Sequence, residues 1–206
     1  RHERMVAKLK GYIWPLQRVE QEFPKTDMSI GARYARAIAY FRVSRMPEAL
    51  QLMDSLLTDI PNDPYFLEQK GQILFENGKL QEALPFYTAA FNQLPTEPLL
   101  GLELVQVEIE LEQPELVKSA IRHLEAVTTI EPRMSRAWYF LSVAYGRDGN
   151  LPMSALAQAE QAMAQGNSQE AWAQAKRALE GMPAGSPGWL KANDINTEAQ
   201  QIKENN

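Results

Sequence analysis

The sequence predicts an all-α solenoid of paired helices, on three observations. An alanine followed twelve residues later by a proline recurs four times, as Ala49/Pro61, Ala83/Pro95, Ala120/Pro132 and Ala171/Pro183. The first two pairs lie 34 residues apart, as do Pro64 and Pro98 and the small residues Ala37 and Gly71. Between these marks apolar residues recur at helical spacing, and Gly, Asn and Pro punctuate the segments.

A period of this length, with small residues at fixed places and a closing proline, is the signature of the tetratricopeptide repeat. The chain is expected to form a tetratricopeptide repeat (TPR) helical solenoid, a right-handed superhelix of about four to five repeats with flanking helices. Each position has a physical reason in the unit from Pro64 to about Glu97. Pro64 suits a first helical turn, where its missing N–H would go unpaired anyway. Leu67, Lys70, Gly71 and Leu74 follow at helical spacing, with Gly71 where two helices must approach closely. Asn77-Gly78 breaks that helix, Ala83, Tyr87 and Ala90 line one face of the next, and Pro95 cannot continue it.

The other units follow the same frame. Ala37, Tyr40, Ser44, Ala49 and Pro61 occupy the equivalent places between Ile30 and Asp63. The unit from Pro98 to Met134 carries three extra residues, expected in a longer turn near Glu112-Gln113-Pro114. Ser135 opens the next with Trp138, Leu141, Tyr145 and Gly149, and the helix from Leu151 to about Gln165 serves both it and a further half-repeat through Gly166 and Ala171. Ser186 and Pro187 then cap a terminal helix whose apolar stripe is Trp189, Ala192, Ile195, Ala199 and Ile202. At the other end Met5, Leu9, Tyr12 and Ile13 form one apolar face, Trp14-Pro15 stops the helix, and a short helix runs through Val19 to Phe23 before the Pro24–Asp27 linker. The expected organisation is a helical segment and linker over 1–27, a repeat solenoid over 28–183 as one continuous domain, and a capping helix over 184–206, about a dozen helices without a sheet.

Composition narrows the function classes. With 26 acidic against 21 basic residues and a net charge of −5, the chain has no general attraction to nucleic acid or an anionic membrane. No apolar stretch approaches the ~18 residues of a membrane span. Cysteine is absent, which removes disulfides and thiol catalysis. The two histidines, His2 and His123, do not form HExxH, the spacing that sets two imidazoles on one face of a helix around zinc. His123 is expected as a partly exposed helical residue, and Glu108, Glu110 and Glu112 as a solvated surface. No phosphate loop or nucleophile elbow occurs, so this chain has no expected catalytic residue, metal ligand or cofactor.

Binding chemistry is better represented. First helices of such repeats line the concave surface, which places Tyr34, Ile38, Phe41 and Arg42, then Tyr65, Glu68, Gln72 and Phe75, then Leu102 and Gln106, and finally Arg136, Tyr139 and Val143 in a groove. Aromatic and aliphatic residues with a few polar groups are what interface cores favour. The bland alternative is that single members of this set pack between repeats. Glu68 and Gln72 stand where a Lys/Asn clamp for a partner's free carboxylate would be expected, which argues against a chaperone-tail receptor.

The stretches Ala32–Phe41, Pro64–Gly78 and Arg1–Leu9 carry a closer resemblance, to the C-terminal half of BepA-like bacterial metalloproteases of peptidase family M forty-eight. In these a zinc protease domain with an HExxH helix is followed by tetratricopeptide repeats. The resemblance implies a periplasmic protein of outer-membrane protein quality control, with repeats that dock on the protease domain and recruit assembly components or unfolded clients. The zinc and its ligands would lie upstream of Arg1, so no catalytic residue carries over. The alternative is a free-standing repeat scaffold or co-chaperone.

Overall fold

A computed structural model describes residues 2–204, and among these it forms twelve helices and no strand. Arg1, which opens the expected amino-terminal segment, and residues 205 and 206, which close the expected cap, lie outside the described residues, as do the side chains of His2 and Glu204. The helices group into two compact units, Arg1–Leu94 and Pro95–Asn206.

The first unit contains α1 (His2–Ile13), α2 (Leu16–Glu22), α3 (Ile30–Arg42), α4 (Met46–Asp59), α5 (Pro64–Glu76) and α6 (Leu80–Gln93). Helices α3/α4 and α5/α6 are the two repeat hairpins. Asp63 caps α5 by accepting from the Tyr65 and Phe66 amides at 3.1 and 3.3 Å, and Pro64 takes the first helical position, as expected. The alanine of each second helix, Ala49 and Ala83, is fully buried. A Cβ on Gly71 would sit 3.1 Å from the Tyr87 ring, so glycine is what allows α5 and α6 to meet. The core of the α3/α4 hairpin is built by Ile38, Tyr40, Met53 and Leu56, with Phe66 from α5.

The second unit contains α7 (Pro98–Glu110), α8 (Pro114–Ile130), α9 (Ser135–Arg147), α10 (Leu151–Ala164), α11 (Ser168–Gly181) and α12 (Pro187–Glu204). Its first half packs Leu102, Val105, Leu124, Trp138, Leu141 and Tyr145 together. Its second half is an alanine-rich seam in which Ala159, Ala171, Ala175, Ala192 and Ala199 bring α10, α11 and α12 close. The Ser186 hydroxyl accepts from the Trp189 amide at 3.3 Å and starts α12. Ala192, Ile195 and Ala199 are buried, whereas Ile202 at the end of the expected stripe is exposed.

Three expectations are corrected. The extra residues of the third repeat are in α8, which has 17 residues against 14 in α4 and α6. The turn before it keeps the three-residue length of its counterparts, because a left-handed residue recurs there in every hairpin: Ser44, Gly78, Glu112, Gly149 and Gly166 have φ of 60°, 74°, 56°, 80° and 75°. Pro114 at the first helical position starts α8 early and adds a turn to its tip. Glu108 does not belong to a solvated face: it is buried, with its carboxylate 3.1 Å from His123 Nδ1. The face of α1 that packs is not the apolar one. Met5, Leu9 and Ile13 are 53%, 59% and 64% exposed, and the buried positions are Ala7 and Gly11.

Candidate functional site

In each unit the first helices present an inner face, and the two faces differ. On unit 1 the expected groove positions lie under α1. Gly11 is so close to α3 that a Cβ there would be 2.7 Å from the Ala35 carbonyl oxygen and 3.0 Å from Ile38 Cβ. Arg42, exposed at the end of α3, donates to the carbonyls of Gly11 and Trp14 at 3.2 and 2.9 Å, satisfying α1's last turn. Farther along, α1 reaches α5. Arg4 pairs with Asp63 and stacks 5.5 Å from the Phe66 ring centre, Lys8 is 3.3 Å from Glu68, and the Tyr12 hydroxyl lies 3.0 Å from Gln69 Oε1 and 2.9 Å from Gln72 Oε1. The order of these pairs, from Arg4 with Asp63 to Tyr12 with Gln72, shows that α1 runs in the same direction as α5.

Tyr34, Ile38 and Phe41 are buried, Tyr65, Glu68, Gln72 and Phe75 half-buried, and only Arg42 of this set is exposed. The Tyr34 hydroxyl has no hydrogen-bond partner among the described residues, although Tyr34 packs edge-on against Phe66 with ring centres 5.0 Å apart. Burial, and then the nearby Glu68 carboxylate, push its ionisation well above the ordinary tyrosine range. An orphaned buried hydroxyl of this kind costs about 1–3 kcal/mol.

On unit 2 the inner face is open. Leu102 is buried and anchors α7, while Gln106 is half-buried, donating to Glu110 at 3.1 Å and accepting from Arg136 at 3.3 Å. The Arg136 guanidinium lies 5.4 Å from the Phe140 ring centre, and Tyr139, 49% exposed, tilts against the same ring at 5.4 Å. Tyr139 and half-buried Val143 line a concavity of about 430 Å³ whose far wall is α10, with Gln158, Gln161 and Gln165, and the start of α11, with Glu170. Gln158 and Gln161 lie three residues apart on α10, Gln165 follows four residues on as its C-cap, and their amides have no partner among the described residues. The sequence reading placed no groove residue on this helix, although it made the same helix the first of a further half-repeat. The signal was the glutamine spacing itself.

Among the described residues no group of three or more His, Asp or Glu could hold an ion. No helix of the described residues is long and apolar enough to cross a membrane.

Comparison with known proteins agrees with the fold. The tetratricopeptide-repeat family profile matches residues 34–98. A β-barrel assembly-enhancing protease of Yersinia pestis is 26% identical over 131 residues, covering 64% of this chain, which spans only about a quarter of that protein's length (26%). Among solved structures, MamA from Desulfovibrio magneticus RS-1 superposes with a TM-score of 0.61 at 20% identity, covering 85% of this chain and 96% of its own. YrrB, described as a TPR protein with an unusual peptide-binding site, gives 0.67 at 16% identity over 84% of this chain and 90% of its own. By repeat spacing, hairpin geometry and structural likeness, the chain is an all-α tetratricopeptide-repeat solenoid, a fold of protein-interaction modules.

Proposed function

We propose that this chain is the non-catalytic, recruiting repeat domain of a periplasmic zinc metallopeptidase, and that it holds polypeptide on the inner face of its second unit. The observation that carries the binding site is the concavity where Tyr139 stands exposed opposite a row of unpartnered amides. A half-exposed tyrosine offers an anchor with few rotamers to freeze. Glutamine amides donate and accept at once, so they can satisfy the N–H and C=O of an extended segment whatever its sequence. That combination suits clients that arrive unfolded. The link to a peptidase is supported by the likeness to the Yersinia pestis protease and by the stretches Ala32–Phe41 and Pro64–Gly78; outer-membrane assembly components or β-barrel clients are the partners it suggests. The zinc would be held by a peptidase domain outside this chain.

The test uses the whole chain and an outer-membrane β-barrel protein kept unfolded by dilution from urea, with binding read by fluorescence anisotropy. Tyr139→Ala should weaken binding by about tenfold or more, the effect of truncating an anchor worth over ~1.4 kcal/mol, and Arg136→Glu by less. Affinities within twofold of the parent for both variants would remove the second unit's inner face from consideration.

A further inference from the structure

We propose that α1 is a displaceable occupant of unit 1, and that the face beneath it is a receptor for a partner's amphipathic helix of the same pattern. The pattern can be read from α1 itself. Ala7 and Gly11, one turn apart, let the helix settle onto α3, while Arg4 and Lys8, one turn apart on the α5 side, meet Asp63 and Glu68. Arg42 waits for the helix's last carbonyls and so sets its direction.

Two observations make α1 displaceable. Its seating is close, with Ala7 in a small core beside Ala35 and Ala39 and Tyr12 half-buried against the α3/α4 core, but its larger aliphatic side chains Met5, Leu9 and Ile13 face outward. A segment that leaves its larger aliphatic side chains in water and is tied by part-exposed ion pairs opens more cheaply than the hairpins under it. The fit is also incomplete. The Tyr34 hydroxyl is sealed without a partner beside a void of about 10 Å³ walled by Arg4, Met5, Tyr65 and Phe66, so α1 leaves unused a polar group that another helix could engage. With α1 lifted, Asp63 and Glu68 lose their cations, and the face then selects a basic helix over an acidic one.

The experiment titrates a fluorescent synthetic peptide of residues 2–15 into the full chain and into two full-length variants. Gly11→Leu forces α1 off α3, and Arg4→Glu with Lys8→Glu reverses both ion pairs. Helical melting is checked first, and the second variant carries the test if the first does not fold. The peptide should bind either variant at least tenfold more tightly than the parent, and a peptide with glutamates at Arg4 and Lys8 should not bind. Amide exchange over α1 should be faster than over α3 and α5 in the parent, and faster still in the variants. Equal peptide affinity for parent and variants, equal binding of the acidic peptide, or α1 amides as protected as those of α3 would overturn the proposal. Tyr139→Ala in the variant background keeps the two faces apart: peptide affinity should not change, and its loss would place the peptide on unit 2.

Discussion

The inner faces of the two units are made by one rule and end in opposite states. In unit 1, aromatic and aliphatic residues at groove positions of α3 and α5 are roofed by α1, and in unit 2 the corresponding helices α7 and α9 leave Tyr139 and the α10 glutamines open. The difference does not come from the hairpins, which share turn length, left-handed turn residue and buried alanine. It comes from a helix outside the repeat. In a solenoid, the pattern of a repeat therefore determines where a groove is, while a flanking segment determines whether that groove is available.

Three measurements sharpen the contrast. The largest effect belongs to the shared frame: Gly71→Leu, against the Tyr87 ring, and Ala83→Leu, with no exposed surface, should each cost about 1–3 kcal/mol by overpacking. Gln106→Ser on the open face should stay within about 0.5 kcal/mol. Denaturant midpoints that do not separate the leucine variants from Gln106→Ser would mean that the helix contacts are misplaced.

The second measurement compares one tyrosine per unit, with opposite signs. Tyr145 donates to Glu125 at 2.6 Å, so Tyr145→Phe should destabilise by about 1 kcal/mol, whereas Tyr34→Phe deletes an orphaned hydroxyl and should be neutral or stabilising. Alkaline titration probes the same pair. Burial raises both phenols, with Glu68 adding to Tyr34 and Glu125 to Tyr145. A group raised in the folded state contributes stability that is complete below its unfolded value, about 10 for tyrosine, and is lost as pH climbs beyond it. Unfolding monitored from pH 9 to 12 should show a steeper alkaline loss for the parent than for the Tyr34→Phe, Tyr145→Phe double variant. Superimposable pH curves would deny the two rings that role.

The smallest effect concerns the turns. Ser44 and Glu112 adopt the left-handed conformation that glycine takes at the equivalent places. Replacing either by glycine removes a strain of about 1–2 kcal/mol and adds a chain-entropy cost of about 0.5–1, a net gain of several tenths to about 1 kcal/mol in thermal unfolding. A loss of stability in both variants would show that the serine and glutamate side chains contribute more than their backbones cost.

Much of this fold was legible because the repeat writes the same physics several times: Pro64, Gly71, Asn77-Gly78 and Ala83 each stand where packing or a turn demands them. The extra turn of α8 was less legible, since three added residues between fixed marks fit a longer loop and a longer helix equally well, and only Pro114 hinted at the latter. The seating of α1 was hidden for a deeper reason. Its apolar stripe obeys the helical period, but the helix packs by its smallest side chains, where close backbone approach and ion pairs outweigh apolar area. Glu108 misled in the same way: two-residue spacing spreads carboxylates around a helix, yet one of them turned inward to His123. Of the groove residues, spacing located Tyr139 and Val143 beside the open concavity but could not reveal that Tyr34 and Ile38 lie beneath another helix.

The tether on α1 sets the terms for any competitor. Only α2 and the short connection through Ser29 separate α1 from the face it covers, so the face experiences its own helix at an effective concentration on the order of millimolar. A free helix at about micromolar concentration must therefore bind roughly a thousandfold better than α1, about 4 kcal/mol, to hold the face half the time. Weak encounters are filtered out without any specific contact against them. A partner helix that is itself tethered, and so held at a similar effective concentration, would escape most of that handicap.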